Sequence, residues 1–155
     1  MNTSLGQESL VKSATLMDEL QVVHRLRRLR RSPGLRALIQ ETRLTTDDLM
    51  LPLFVVDGRG KSEPVESMPG VFRESVDLII KRARSASELG IRAVILFGIP
   101  DSKDATGSGS YDAGGVIQRA VTALKEELPD LIVVTDTCMC EYTDHGHCGL
   151  LDDQM

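Results

Sequence analysis

From residue 51 onward, the chain alternates between short apolar runs and longer stretches in which apolar residues recur at helical spacing. The apolar runs are rich in β-branched residues and predict three buried strands, at 51–56, 91–97 and 131–135. Between them, apolar positions every three or four residues predict two helices, 75–89 and 116–128. Gly90 is suited to end the first helix, and Pro129 stops the second. The predicted order is therefore strand, helix, strand, helix, strand.

This order of elements predicts an α/β fold with a parallel sheet covered by helices. Two architectures fit, a doubly wound sheet and part of a (β/α)8 barrel, and the periodicity does not choose between them. In both, functional residues gather at the C-terminal ends of the strands. Loops are predicted through Gly70 and at 101–115, where glycine and polar residues concentrate. Pro52 donates no hydrogen bond, so we expect it among the first residues of its strand.

The first part of the chain gives weaker signals. Residues 1–23 are polar with scattered aliphatic residues, a pattern that fits a loose amphipathic arm. Ser32 followed by Pro33 is a typical helix start, so we predict a short helix that runs to about Glu41. The aliphatic residues that this helix is expected to bury are Leu35, Leu38 and Ile39.

The composition of the 155 residues, with 41% hydrophobic and 26% charged, is that of an ordinary globular protein. A net charge of −5 disfavours a protein whose main role is to bind nucleic acid or an anionic membrane. No apolar run approaches the ~20 residues that span a bilayer. The N-terminus lacks the layout of a secretory signal, and Glu8, Asp18 and Glu19 are out of place in a transit peptide. We therefore expect a cytoplasmic protein.

Six arginines and no acidic residue lie between His24 and Arg36. Such a run on its own suggests contacts with phosphate groups or RNA. Leu26, Leu29 and Leu35 interleave the arginines, however, which favours a segment that packs on protein and pairs with a neighbour's carboxylates. We therefore expect neither a nucleic-acid partner nor a membrane partner, and we interpret His24 as structural.

The three cysteines, Cys138, Cys140 and Cys148, lie within eleven residues, soon after the last predicted strand. Their spacing, C-x-C-x7-C, allows three thiolates to converge on one metal ion, and soft sulfur ligands favour zinc. Clustered cysteines in a chain without an export signal are typical of metal binding rather than of disulfides. Three free thiols in a loop are the alternative, but free cysteines are usually buried singly.

Three thiolates leave one position of a tetrahedral zinc ion without a protein ligand. Structural zinc sites are closed by four protein ligands, whereas catalytic sites keep one position for water or substrate. His145 or His147 can supply the fourth ligand, so the spacing allows both an open and a closed site. Asp136 lies just before the cysteines, where it is either a turn residue at the strand end or a functional carboxylate.

The same residues carry a family resemblance. The segment 136–149, DTCMCEYTDHGHCG, resembles the zinc-site signature of the porphobilinogen synthases (5-aminolevulinate dehydratases). These enzymes condense two molecules of 5-aminolevulinate in tetrapyrrole biosynthesis. Further similar words occur in the family's order, and the resemblance extends from about Arg25 to Leu151. They are RRLRRSPGLR at 27–36, LPLFV at 51–55, MPGV at 68–71, FGI at 97–99 and ATGS at 105–108.

The resemblance implies the first part, about three strands, of a (β/α)8 TIM barrel preceded by an extended N-terminal arm. It places the arm with its short helix at 1–44 and the partial barrel, which ends in the zinc loop, at 45–155. It implies a zinc-dependent lyase of heme biosynthesis, with zinc on the three cysteines and 5-aminolevulinate as the substrate. Its arm embraces another subunit, so a homo-oligomer is expected. Asp136 would hydrogen-bond substrate or assist proton transfer.

Within the same resemblance, His147 would support the ligands or bind an accessory metal, unless it is a solvated loop residue. His145 has weaker support. Porphobilinogen synthases also form a Schiff base between substrate and a lysine in the second half of the barrel. The five lysines of this chain lie in the arm, in loops or on predicted helices, and they are Lys12, Lys61, Lys81, Lys103 and Lys125.

None of these lysines ends a predicted strand, so we interpret the chain as the first half of the enzyme and expect it to be inactive alone. A fragment, a truncated product and a degenerate paralogue all fit this description. One alternative is an inactive zinc-binding half that assembles with a full-length synthase or regulates it. Another is a non-enzymatic zinc module that uses the arginine run, 25–36, as its binding surface.

Overall fold

The computed structural model describes residues 27–151 of the chain. The chain divides after Arg43 into two units, Met1–Arg43 and Leu44–Met155. The expectations for the loose arm at 1–23, for His24 and for Lys12 lie outside the described residues. In the described part of the first unit, a 3-10 turn at Arg28–Arg30 precedes a short helix, α1, Pro33–Leu38.

Helix α1 begins as predicted but ends early. The Ser32 hydroxyl accepts a hydrogen bond from the N–H of Leu35 at 3.1 Å, and Pro33 is the first helical residue. Leu38 is 81% exposed and Ile39 is 41% exposed, so the prediction that both are buried is wrong. The physical reason is length, because six residues make fewer than two turns and present too narrow an apolar face to pack.

The second unit is built on a mixed, five-stranded sheet. Its strands are β1 Met50–Val56, β2 Ser62–Pro64, β3 Phe72–Ser75, β4 Ala93–Ile99 and β5 Ile132–Thr135. Their order across the sheet is β2-β3-β1-β4-β5, and every neighbouring pair is parallel except β2 with β3. Helix α2, Val76–Glu88, connects β3 to β4, and helix α3, Val116–Glu127, connects β4 to β5.

All three predicted strands and both predicted helices of this unit are present, as β1, β4, β5, α2 and α3. Two strands were not predicted. Strand β2 lies inside the predicted loop that ends at Gly70, and β3 begins just after that loop. Both strands are short and mostly polar, so neither gives the apolar signal of a buried strand.

Both α2 and α3 contact β1 and each other, so they cover the same face of the sheet. Alternate residues of the strands point to this face and form the core with the two helices. The largest core side chains, each at most 3% exposed, are Leu53, Val55, Ile79, Val94, Leu96 and Leu124. On the opposite face, the rings of Phe54 and Phe97 stack with centroids 5.4 Å apart.

Pro52 lies third in β1, as its missing N–H predicts. Strand β1 pairs with β4 along its whole length, whereas its pairing with β3 starts only at Phe54. The proline therefore lies where one side of β1 has no neighbouring strand, which is where a proline costs the sheet least.

The helix ends also follow the sequence. Gly90, which follows the end of α2, has φ +92°, and a Cβ there would lie 3.0 Å from the hydroxyl of Thr46. Helix α3 is capped at Leu128, directly before Pro129. Among residues 27–151, no helix is both long and apolar enough to cross a membrane.

Candidate metal centre

The three cysteines lie in the loop that follows β5, at the C-terminal edge of the parallel strands. The sheet ladder extends one residue beyond β5, because the N–H of Asp136 donates to the carbonyl of Leu96 at 3.2 Å. Asp136 is therefore held at the sheet edge while its side chain is exposed. The chain then passes through Cys138 and Cys140, leaves the edge and returns at Cys148.

The three sulfur atoms converge. Cys138 Sγ lies 2.7 Å from Cys140 Sγ and 2.8 Å from Cys148 Sγ, and all three atoms are within 4.8 Å of one another. Zinc–sulfur bonds of about 2.3 Å in a tetrahedron hold sulfurs about 3.8 Å apart, so zinc requires the cluster to open by about 1 Å. Soft donors that already converge, in a half-buried to exposed position, fit a zinc ion.

Hydrogen bonds among the three thiols shift the pKa values of Cys138 and Cys148 in opposite directions. Bonds to Cys140 and to Cys148 raise the pKa of Cys138 to about 12. The hydrogen bond with Cys138 lowers the pKa of Cys148 below its ordinary value. Of these two residues, Cys148 therefore becomes the thiolate first, and the thiolate is the form that binds metal.

The two loop histidines interact with the backbone and with each other. His145 Nδ1 accepts the N–H of His147 at 3.2 Å, and His145 Nε2 lies 3.2 Å from the carbonyl oxygen of Ala105. Their rings stack with centroids 5.7 Å apart. Within residues 27–151, the group of side chains placed to hold a metal consists of the three cysteines without a histidine.

A cavity of about 590 Å³ opens beside the cysteines, between the end of β5 and helix α3. Ile117 and Val121 supply apolar surface, while Asp136, Cys138 and Tyr142 supply polar groups. The cavity lies on the side of the sheet that α3 covers, and Asp136 and Cys138 are at its border.

The sequence family follows from comparison with known proteins. A family model described as "Delta-aminolevulinic acid dehydratase" matches residues 23–155. The chain belongs to the delta-aminolevulinic acid dehydratase family. The dehydratase of Synechococcus elongatus is 51% identical over 129 residues, which cover 83% of this chain and 40% of that protein. The dehydratase of Bacillus subtilis is 47% identical over 133 residues, which cover 86% and 41%.

A solved structure of a family member is also similar. The Toxoplasma gondii delta-aminolevulinic acid dehydratase (porphobilinogen synthase), in complex with the reaction product porphobilinogen, matches with a TM-score of 0.79 and 36% identity. The match covers 87% of this chain and 39% of the Toxoplasma chain. This dehydratase chain therefore spans about 40% of the length of the relatives that it matches.

Glu141 and Tyr142 lie in the same loop as the cysteines, and the sequence did not single them out. Glu141 is half-buried, and its burial, with a smaller effect of the nearby Asp136 charge, raises the pKa of its carboxyl group. Tyr142 is 7% exposed, and burial raises the pKa of its hydroxyl. Its hydroxyl lies so close to Gly98 that a Cβ at that position would collide with it. The available signal was Gly98, because a glycine inside an apolar strand often marks a place where another group approaches the backbone closely.

None of the described lysines lies within a strand. Lys61 and Lys103 are in loops, Lys81 is in α2 and Lys125 is in α3. The Lys125 ammonium donates to the carbonyl of Leu131 at 2.9 Å, which ties the end of α3 to the start of β5. Among residues 27–151, Lys103 is the lysine that follows a parallel strand most closely: it lies four residues after the end of β4, in an exposed loop.

Proposed function

We propose that this chain supplies the metal-binding part of a porphobilinogen synthase and that its ion is zinc. The full enzyme is a lyase that condenses two molecules of 5-aminolevulinate to porphobilinogen in heme biosynthesis. One observation carries the proposal. Three thiol sulfurs converge at the C-terminal edge of the sheet, in a chain that belongs to the dehydratase family. The similar Toxoplasma structure is a complex with porphobilinogen.

We also propose that the sheet is the first part of a (β/α)8 barrel. Strands β1, β4 and β5 lie side by side in chain order, and both connecting helices cover one face. Doubly wound sheets carry helices on both faces, whereas barrels carry them only outside. The face that carries Phe54 and Phe97 would then line the barrel interior, with the cysteines at the end where barrel active sites lie.

In this proposal the residues have distinct roles. Cys138, Cys140 and Cys148 hold the ion, and bound zinc supplies a Lewis acid that polarises the carbonyl or amine of substrate. Three thiolates outweigh the charge of the ion, so the site is suited to orienting substrate rather than to generating hydroxide. Asp136, exposed at the sheet edge just before the cysteines, hydrogen-bonds substrate or takes up a proton.

Assembly and location form part of the same proposal. The segment 1–44 acts as an arm that contacts another subunit of a homo-oligomer, and the chain resides in the cytoplasm. A reducing compartment keeps a solvent-accessible cysteine cluster available for metal, which supports the location.

A second candidate function is an inactive half that assembles with a full-length synthase or regulates it. This candidate is motivated by the described residues, which combine three converging cysteines with lysines on loops and helices. Both candidates require zinc on the same cysteines, and they differ in whether this chain contributes to an active site.

Metal analysis of protein purified without chelator tests the zinc site. We expect about one zinc per chain, and we expect Cys140→Ala to abolish binding. His147→Gln distinguishes an open site from one closed by this histidine, because only a closed site loses affinity. Unchanged zinc content in Cys140→Ala would overturn the assignment.

A further inference from the structure

The loop that carries the cysteines, residues 136–149, is joined to a second loop, which we call the Asp104 loop, residues 104–109. The N–H of Asp104 donates to the carbonyl of Tyr142 at 3.3 Å, and the N–H of Asp144 donates to the carbonyl of Asp104 at 3.1 Å. These bonds form an isolated parallel bridge between Asp104 and Thr143. The two loops, distant in sequence, are thus connected as neighbouring strands are.

The side chain of Asp104 fixes the shape of its own loop. Its carboxylate accepts hydrogen bonds from the N–H and hydroxyl of Thr106, both at 2.8 Å, and from the N–H and hydroxyl of Ser108. These bonds, the one from the Ser108 hydroxyl foremost, hold the pKa of Asp104 well below its usual range. A carboxylate only accepts hydrogen bonds, so asparagine can replace no more than part of this set.

Gly107 allows the two loops to touch. It is buried and has φ +61°, a conformation that glycine adopts without strain. A Cβ at Gly107 would lie 3.2 Å from Met139 Cε and 3.3 Å from Thr143 Cγ2. The Asp104 loop therefore packs directly on the turn that contains Met139 and Thr143.

Thr143 connects this contact to the cysteines. It is 1% exposed, its N–H donates to the carbonyl of Met139 at 3.0 Å, and its hydroxyl donates to the carbonyl of His147 at 2.8 Å. Met139 lies between Cys138 and Cys140 in the chain, and His147 directly precedes Cys148. One buried residue is thus bonded, through its backbone N–H and its hydroxyl, to backbone adjacent to all three cysteines.

We propose that the Asp104 loop and Thr143 hold the three cysteines in position before metal binds, and that they thereby set the zinc affinity without touching the ion. This inference rests on the proposed zinc site. A loop that is already ordered loses less conformational entropy on binding, so its affinity is higher. Asp104 and Thr143 are positioning residues in this scheme.

Thr143→Val and Thr143→Ser in the full chain form the decisive pair. Valine keeps the shape of threonine but removes the hydroxyl, whereas serine keeps the hydroxyl. We expect Thr143→Val to raise the zinc Kd about tenfold, and Thr143→Ser to remain close to wild type. The Kd is measured by competition with a chromogenic chelator.

The Asp104 loop has its own series and a matched control. Asp104→Ala should raise the zinc Kd about tenfold or more, with Asp104→Asn in between. Asp112→Asn is the control, because the carboxylate of Asp112, in the same long loop, accepts a single hydrogen bond, from the N–H of Gly114 at 2.9 Å. Its zinc Kd should equal that of wild type.

Thermal unfolding of the metal-free variants separates positioning from loss of fold, and the thiolate charge-transfer bands of bound Co²⁺ report ligand geometry. We expect weaker or shifted Co²⁺ bands in variants whose metal-free unfolding is unchanged. If Thr143→Val fails to fold, Asp104→Asn carries the test, and an unchanged Kd there overturns the inference. Wild-type affinity in both variants also overturns it and leaves the zinc site intact. A wild-type chain without zinc affinity overturns the proposed function itself.

Discussion

The Sγ atoms of Cys138 and Cys148 lie 2.8 Å apart, although the two residues are ten positions apart in the chain. Their hydrogen bond helps to keep the proton on Cys138, whose pKa is raised to about 12, and lowers the pKa of Cys148. A thiol must lose its proton to bind zinc. Zinc binding and proton release are therefore coupled in this cluster.

We expect the zinc affinity of the chain to rise with pH. Because the pKa of Cys138 is raised, zinc must displace its proton throughout the neutral range. Because the pKa of Cys148 is lowered, zinc displaces a smaller fraction of a proton from Cys148 as pH rises. If two protons leave per ion, Kd falls about 100-fold per pH unit. Calorimetry in buffers of different ionisation enthalpy counts the protons, and a Kd independent of pH between about 6 and 8 would contradict the coupling.

Glu74 and Arg82 form the better protected of the two Arg–Glu pairs found among residues 27–151. Glu74 is 6% exposed, and its carboxylate accepts hydrogen bonds from Arg82 at 2.5 and 2.8 Å, which join β3 to α2. These bonds lower the pKa of Glu74. We expect Glu74→Gln to lower the free energy of unfolding by about 1–3 kcal/mol at pH 7. Denaturant titration measures this change.

The pH dependence of this effect has a definite sign. A carboxyl group whose pKa is lowered in the folded state stabilises the fold at pH values above its unfolded-state pKa. This stabilisation is lost as the pH falls through its folded-state pKa. The difference between wild type and Glu74→Gln should therefore shrink under acidic conditions. Glu127→Gln is the control, because its pair with Arg84 is about half exposed on both sides and contributes about 0–1 kcal/mol. Equal destabilisation by the two variants would sink the prediction.

The same pair explains why the sequence predicts β1, β4 and β5 but not β3. The three predicted strands are apolar on both faces or nearly so, and their pattern alone indicates burial. Strand β3 contains one large apolar residue, Phe72, and its buried Glu74 is stabilised by an arginine eight residues later. The pattern of apolar and polar residues along the chain does not reveal such a pairing, so a polar residue such as Glu74 is predicted to lie in a loop.

The candidate metal centre, too, was predictable from the sequence only in part. The C-x-C-x7-C spacing after an apolar strand was sufficient to predict that the sulfurs meet at the sheet edge, and they do. The roles of Asp104 and Thr143 depend on a bridge between two loops, which the order of residues along the chain does not reveal. Asp104 followed by Thr106 and Ser108 was a local signal, since aspartate often accepts hydrogen bonds from residues two and four positions later.

We expect the isolated chain to associate rather than to remain a monodisperse monomer. The sheet face opposite α2 and α3 carries the stacked Phe54 and Phe97, and the edge strand β5 exposes 57% of Ile132. Apolar faces and unpaired strand edges favour contact with further polypeptide. Light scattering at micromolar concentration checks this, with Ile132→Lys expected to reduce association. A single species near 17.0 kDa for the wild type would show that the open-sheet description is wrong.

We further expect this chain alone to make no porphobilinogen, even with zinc bound. Covalent catalysis on a keto acid needs a lysine whose ammonium is desolvated, so that its pKa falls and the free amine can attack. Lys81 is exposed on α2, the Lys125 ammonium donates to the carbonyl of Leu131, and the Lys61 ammonium lies 3.5 Å from a Glu63 carboxylate oxygen. Lys103, four residues after the end of β4, is exposed, as are Lys81 and Lys125, so these three ammonium groups remain in contact with solvent.

In the proposed function, the cysteines and Asp136 would bind and orient 5-aminolevulinate but, without such an amine, could not hold it covalently for the condensation. Two measurements follow from this, turnover of 5-aminolevulinate and borohydride trapping with mass spectrometry. The full-length Bacillus subtilis relative, 47% identical over the matched residues, serves as the positive control for both. We expect no product and no adduct on any of the five lysines of this chain. A trapped adduct together with product would contradict this expectation, and Lys103, in the loop after β4, would be the first residue to test.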